Sequence, residues 1–139
     1  MTITTDMTLY VAGPMTGYPG NNFLAFDAAA EDLRKRGFAV VSPAELDDEE
    51  TRAKALASID GAEDLTSGET HGDYLSRDVK LIADLVDGVC VLPGWQNSKG
   101  ARLETFIAFL YGKPVTHYPS LRAVKKSMLA KAWLGKLFE

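Results

Sequence analysis

Four short apolar runs, each stopped by glycine or proline, constrain this chain more than any other feature. TLYVAG (8–13) ends in Gly13-Pro14, FAVV (38–41) at Ser42-Pro43, VCVL (89–92) at Pro93-Gly94, and VTHY (115–118) at Pro119. Apolar runs of this length between turn residues read as buried strands, too short for helices. The segments between them change period. Phe23, Phe26, Ala30 and Leu33 recur at i, i+3, i+7 and i+10, one face of a helix. Asn21 or Asn22 would cap that helix, and Lys35, Arg36 and Gly37 give it a basic last turn and a C-terminal glycine. Leu75, Val79, Ile82 and Val86 predict a second helix within 73–88. ARLETFIAFLYG (101–112) predicts a third, with Ser98 as N-cap and Gly112 at its end. In that third helix Leu103, Phe106, Ile107 and Leu110 form the broad apolar side, and Ala101, Glu104, Ala108 and Tyr111 an adjacent stripe. The basic tail predicts a C-terminal helix over about 120–135, with Leu121, Val124, Met128 and Leu129 on one side.

Strands alternating with helices imply β-α-β units and therefore a parallel sheet with helices on both faces. The predicted fold is α/β: a three-layer, Rossmann-like or flavodoxin-like arrangement around a parallel sheet of four or five strands. At 139 residues, without internal repeats, the chain reads as one domain. Residues 45–72 are acidic and polar with little periodicity; they predict a short helix and then a flexible loop at about 57–72.

Charge and cysteine content exclude several function classes. A net charge of −4 argues against a sequence-independent nucleic-acid binder, which needs a basic face. The lone Cys90 lies in an apolar run, so no intrachain disulfide is available and a reducing, cytoplasmic setting is expected. With two histidines and one cysteine, no familiar zinc spacing can be assembled. The N-terminus has neither the basic nor the long apolar region of a secretory signal, and no stretch approaches the roughly 18 apolar residues of a membrane span.

Parallel α/β sheets bind ligands beyond the carboxyl ends of their strands, which singles out GPMTGYPG, SPAE and PGWQNSKG. The first is neither a dinucleotide fingerprint nor a Walker loop. Glu104 lies two turns into the third helix, flanked on its stripe by alanines that would leave open space around it. It reads either as a catalytic carboxylate or as a boundary charge paired with a lysine or arginine. Asp78, one position from Val79, and Asp87, before the third strand, are further acidic candidates. Two carboxyls at close range can hold a proton between them. Arg77, Lys99 and Arg102 could meet a phosphate or simply solvate the surface. Cys90 reads as core. His71, in the loop, and His117, at a strand end, are not expected to be catalytic.

Three segments together carry a resemblance. LYVAGPMTG, RDVKLIADLVDGVCVL and SKGARLETFIAFLYGKPV are similar, in order, to segments of the nucleoside 2-deoxyribosyltransferase superfamily, and particularly of its small bacterial and phage members. The similarity runs over residues 8–117 apart from 45–72. It implies that Glu104 is the nucleophile attacking the anomeric carbon of a deoxyribosyl group, with Asp78 assisting near the sugar and the leaving base. It casts Ser98 as a contact to a 5′-phosphate, as in the related deoxynucleotide N-glycosidases. Tyr10, Gly13, Met15 and Gly17 would line the base and sugar pocket, and Gly100, within SKGARLE, would join the substrate-binding set. Trp95 lies in a loop longer than the family's and would either stack on a base or close the pocket. The resemblance further implies a homo-oligomer that uses no metal or organic cofactor, with a nucleoside or nucleotide as its small-molecule partner.

Two functions compete at this point. One is cleavage of the N-glycosidic bond of a deoxynucleoside or its 5′-monophosphate, with transfer to another base or to water. The other is a catalytically inactive protein that senses or sequesters a nucleotide-like metabolite.

Overall fold

The computed structural model describes residues 3–59 and 71–135. Within them, four parallel strands form one sheet: β1 (Thr8–Ala12), β2 (Ala39–Val41), β3 (Gly88–Val91) and β4 (Val115–His117), in the order β2-β1-β3-β4. Tyr10 is in register with Val41 on one side and with Val89 on the other. The α/β class and the all-parallel sheet agree with the sequence reading, with the strand number at four. The connections are made by α1 (Phe23–Lys35), α2 (Glu49–Ala57), α3 (His71–Asp84) and α4 (Lys99–Leu110), and α5 (Lys126–Leu134) follows β4.

Side chains alternate along each strand, so each face of the sheet builds its own core. Leu9, Val11 and Cys90 face α1, where Phe23, Phe26, Ala29 and Leu33 are buried. Tyr10, Ala12, Val89 and Val91 face the opposite layer with Ile82, Ala101, Ala108 and Leu129. Each large apolar side chain buried in this way contributes about 2 kcal/mol. Cys90 is therefore core, as expected, and burial pushes its thiol up to about 12.

Several local expectations need correction. Neither Asn21 nor Asn22 caps α1 with its side chain. Both adopt positive φ (54° and 61°), a region asparagine tolerates, and their amides donate elsewhere: Asn21 to the Ala55 carbonyl at 3.0 Å, Asn22 to the Pro14 carbonyl at 2.9 Å. The first loop is thereby tied down across itself and against α2. The C-terminal helix starts at Lys126 rather than Ser120. Leu121 sits at φ 60°, Ala123 bridges back to Thr116, and Val124 donates its N–H to Val115, so this stretch extends the sheet edge before α5 begins. His71 opens α3 instead of lying in a loop. The loop predicted at about 57–72 falls mostly on residues 60–70, outside the described residues.

The largest difference concerns α4. Its apolar side is not the buried one: Phe106 and Leu110 are 39% and 59% exposed, whereas Ala101, Glu104, Thr105 and Ala108 are buried. The alanines do not leave open space around Glu104. They let the helix backbone come close to β1 and β3, which small side chains allow and larger ones prevent. The exposed aromatic side is partly covered by α5. Trp133 meets Phe106 edge-on at 5.1 Å and Phe109 at 5.2 Å, and its indole N–H donates to the Thr105 hydroxyl at 3.0 Å. Among the described residues no helix is long and apolar enough to cross a membrane.

Candidate active site

Because α4 approaches the sheet so closely, its buried face meets the middle of β1. The Tyr10 hydroxyl donates to Glu104 Oε2. Tyr10 is fully buried and Glu104 is 5% exposed, so neither can be rehydrated without moving the helix. The other wall comes from α3, whose Asp78 is also buried. Arg77, next to it, donates from Nε to Asp78 Oδ1 at 3.0 Å and from Nη1 to Asp47 Oδ1 at 3.3 Å. Asp47 lies just beyond the Pro43–Glu45 turn that follows β2. Three carboxyls, one guanidinium and one phenol thus converge from β1, α3, α4 and the segment after β2.

Burial disfavours the charged forms of Glu104, Asp78 and Tyr10. It pushes the Glu104 carboxyl up to about 8; the neighbouring charge of Asp78 adds to the rise, while the Tyr10 hydrogen bond and the charge of Arg77 oppose it. Asp78 is raised by burial as well, against the charge and hydrogen bond of Arg77 and a hydrogen bond from Tyr10. Tyr10 is held well above its usual value by burial and then by Glu104. Arg77 loses solvation on burial, but Asp78 and Asp47 more than offset that and hold its proton. Burial thus favours the neutral form of Glu104, while Arg77 works against burial to favour the charged form of Asp78 beside it. A carboxylic acid beside a carboxylate is an arrangement suited to moving a proton.

A family model for a domain of unknown function (DUF4406) matches residues 7–117 of the 139. The chain belongs to that family. The DUF4406 match takes in all four strands and every residue of the carboxyl cluster, and it ends before α5. No curated protein and no solved structure matches the chain.

The expected site residues of this DUF4406 chain divide into two groups. Glu104, Asp78 and Tyr10 come together. The others lie apart from that hydrogen-bonded group. Gly13 ends β1 where a Cβ would come within 2.9 Å of Leu92 Cβ, so it is required for packing between strand ends. Met15 is half-buried against the α1-side core. Gly17, at φ +87°, is exposed in the turn that follows. Ser98 caps α4, its hydroxyl accepting the Ala101 N–H at 3.2 Å, and Gly100 lies in the first turn of that helix. Trp95 is buried in the core and offers no exposed face for stacking. It lines a crevice of about 310 Å³ at the carboxyl ends of β3 and β4, together with Leu92, Gly94, Gln96 and His117, and its buried indole N–H has no partner among the described residues. Asp87 is structural: its Oδ2 accepts the Thr8 N–H at 2.8 Å and fixes the start of β1.

Arg77 is not free for a phosphate, being engaged by two carboxylates. Lys99 is exposed and Arg102 half-buried. Asp47 carries no motif in the sequence; its only signal is position, since it follows SPAE at the carboxyl end of β2, one of the three places the fold favours. Among the described residues no group of three or more His, Cys, Asp or Glu side chains is arranged to hold a metal ion.

Proposed function

We propose that this protein cleaves the N-glycosidic bond of a deoxynucleoside or deoxynucleoside 5′-monophosphate, with Glu104 as nucleophile. The observation that carries this reading is the buried Glu104 carboxyl, hydrogen-bonded to Tyr10 and paired through space with Asp78. Breaking such a bond passes through an oxocarbenium-like state that a nearby carboxylate can stabilise or trap. Burial favours a proton on Glu104, and that proton must leave before attack. Asp78, which also shares the Tyr10 hydroxyl, is the neighbouring carboxylate able to receive it. With the proton on Asp78, Glu104 Oε attacks the anomeric carbon, the carbon–nitrogen bond breaks, and Asp78 protonates the departing base. Water or the N–H of a second base, giving its proton to Asp78, then displaces the Glu104 carboxylate from the glycosyl ester, which yields hydrolysis or transfer.

This reading keeps the other expectations: a cytoplasmic protein, no metal or organic cofactor, no nucleic-acid or membrane partner, and a homo-oligomer. Phe109 and Leu110 at the end of α4 and Tyr111 just after it are exposed, which leaves apolar side chains available for self-association.

The test is incubation with deoxynucleosides and their monophosphates, with and without an acceptor base, with products resolved by chromatography. Free base without acceptor indicates hydrolysis, and a new nucleoside indicates transfer. Glu104→Gln should abolish both, and undiminished turnover in that variant would overturn the assignment. The near-complete burial of Glu104 favours a second reading, a nucleotide-binding protein without turnover. That reading gains if ligands raise the melting temperature while no substrate is consumed.

A further inference from the structure

The carboxyl pair is governed by a cation that cannot swing freely. We propose that Arg77, pinned by Asp47, is a positioning residue that sets how readily Asp78 takes up a proton beside Glu104. The inference deepens the proposed function and rests on it for its catalytic meaning.

Arg77 is held at two points of its planar fork, Nε on Asp78 and Nη1 on Asp47. The Tyr74 ring lies beneath the guanidinium, 5.2 Å from centroid to Cζ. Side-chain exposures of 29%, 13% and 12% for Arg77, Asp47 and Asp78 show the three largely withdrawn from water, where charges act on one another strongly. A guanidinium fixed in this way stabilises negative charge on Asp78, which it touches, more than on Glu104 across the site. It therefore works to keep a proton off Asp78. Asp47 works in the other direction: its own negative charge weakens the field of Arg77 at Asp78 and lets Asp78 take the proton when substrate demands it. Among the described residues, the charged and titratable groups acting on the pair include Tyr10 from β1, Asp47 from the segment after β2 and Arg77 from α3 itself, with Glu104 on α4. Asp47 also lines a surface cleft of about 500 Å³ with Asp27, Glu31, Arg34, Glu45 and Arg52, so the clamp has one end at the protein surface.

The two arms of the clamp predict opposite shifts, which a merely structural role would not produce. The experiment is a carboxyl ¹³C NMR titration of the substrate-free full chain, with Glu104→Gln and Asp78→Asn assigning the two resonances. Arg77→Met should raise the Asp78 midpoint by about one pH unit or more, the usual effect of losing an opposite charge at this range. Asp47→Asn should lower it, and Arg77→Lys should restore part of the loss. A folded Arg77→Met protein with an unmoved Asp78 midpoint overturns the proposal. Should that variant fail to fold, Asp47→Asn decides, and a midpoint that stays or rises overturns it equally. Because no substrate is present, these titrations hold or fail independently of whether a glycosidic bond is cleaved. Where turnover is measurable, the pH limb of kcat/KM should move with the same signs.

Discussion

Replacing Glu104 with glutamine tests the electrostatics of the site without requiring a substrate. The glutamine side chain would keep the shape of the neutral acid and an oxygen to accept the Tyr10 hydroxyl, and it cannot ionise. In the wild-type protein the Glu104 carboxyl rises from 4.5 to about 8 on folding, chiefly through burial. Below pH 4.5 both the folded and unfolded chains hold this proton, and the group leaves stability unchanged. Between pH 4.5 and about 8 the unfolded chain releases it while the folded one keeps it, so stability falls as pH rises. The slope is about 1.4 kcal/mol per unit, and above about pH 8 both forms are ionised and the curve flattens. The accumulated loss is at most about 5 kcal/mol, a large share of the stability of a domain this size. Urea unfolding of wild type and Glu104→Gln at pH 5, 6.5, 8 and 9 measures it. The two should be close at pH 5, and the variant should become the more stable by several kcal/mol at pH 8 and 9. A difference that stays constant across this range would mean that Glu104 is already ionised in the folded protein, and the reasoning would fail.

Three further substitutions probe the surroundings of that carboxyl. Tyr10→Phe removes a hydrogen bond that favours the charged form of Glu104, so its titration midpoint should move further up, as read by NMR or by the pH dependence of kcat/KM. Ser98→Ala removes the cap on α4 and should cost about 1 kcal/mol in urea unfolding. If Ser98 also meets a 5′-phosphate, KM should rise for monophosphates and stay put for deoxynucleosides; an equal change for both would leave it a cap alone. Gly13→Ala sets a Cβ against Leu92 and should lower the melting temperature by several degrees, an effect that a smaller residue at 92 (Leu92→Ala) should partly relieve.

How far the sequence discloses this molecule depends on the range of the interaction concerned. The strands were legible because each is a local apolar run closed by its own glycine or proline, and Ser98 was legible as a cap because the cap acts within one turn. The orientation of α4 is not legible in its periodicity. Periodicity ranks faces by apolarity, but this helix buries its small and acidic side to come close to β1, and it leaves the aromatic side to Trp133 and solvent. Asp47 and Arg77 stand 30 positions apart, and a pairing of that span leaves no mark in either local pattern. The start of α5 was missed for a related reason, since residues 120–125 follow the edge of β4 rather than their own helical spacing. Glu104 and Asp78 are legible as acidic candidates from their positions and Tyr10 only through a resemblance, and the fold brings the three into one cluster.

The central claim, that Glu104 attacks the sugar, is tested most directly by trapping the glycosyl-enzyme. Acid-quenched mixtures of the protein and a deoxynucleoside or its monophosphate, digested and read by mass spectrometry, should show one added deoxyribosyl group (with its phosphate where the substrate carries one) on the peptide containing Glu104. The Glu104→Gln protein should show none. Base release by the wild type with no adduct on that peptide, or with an adduct on another residue, would contradict the account.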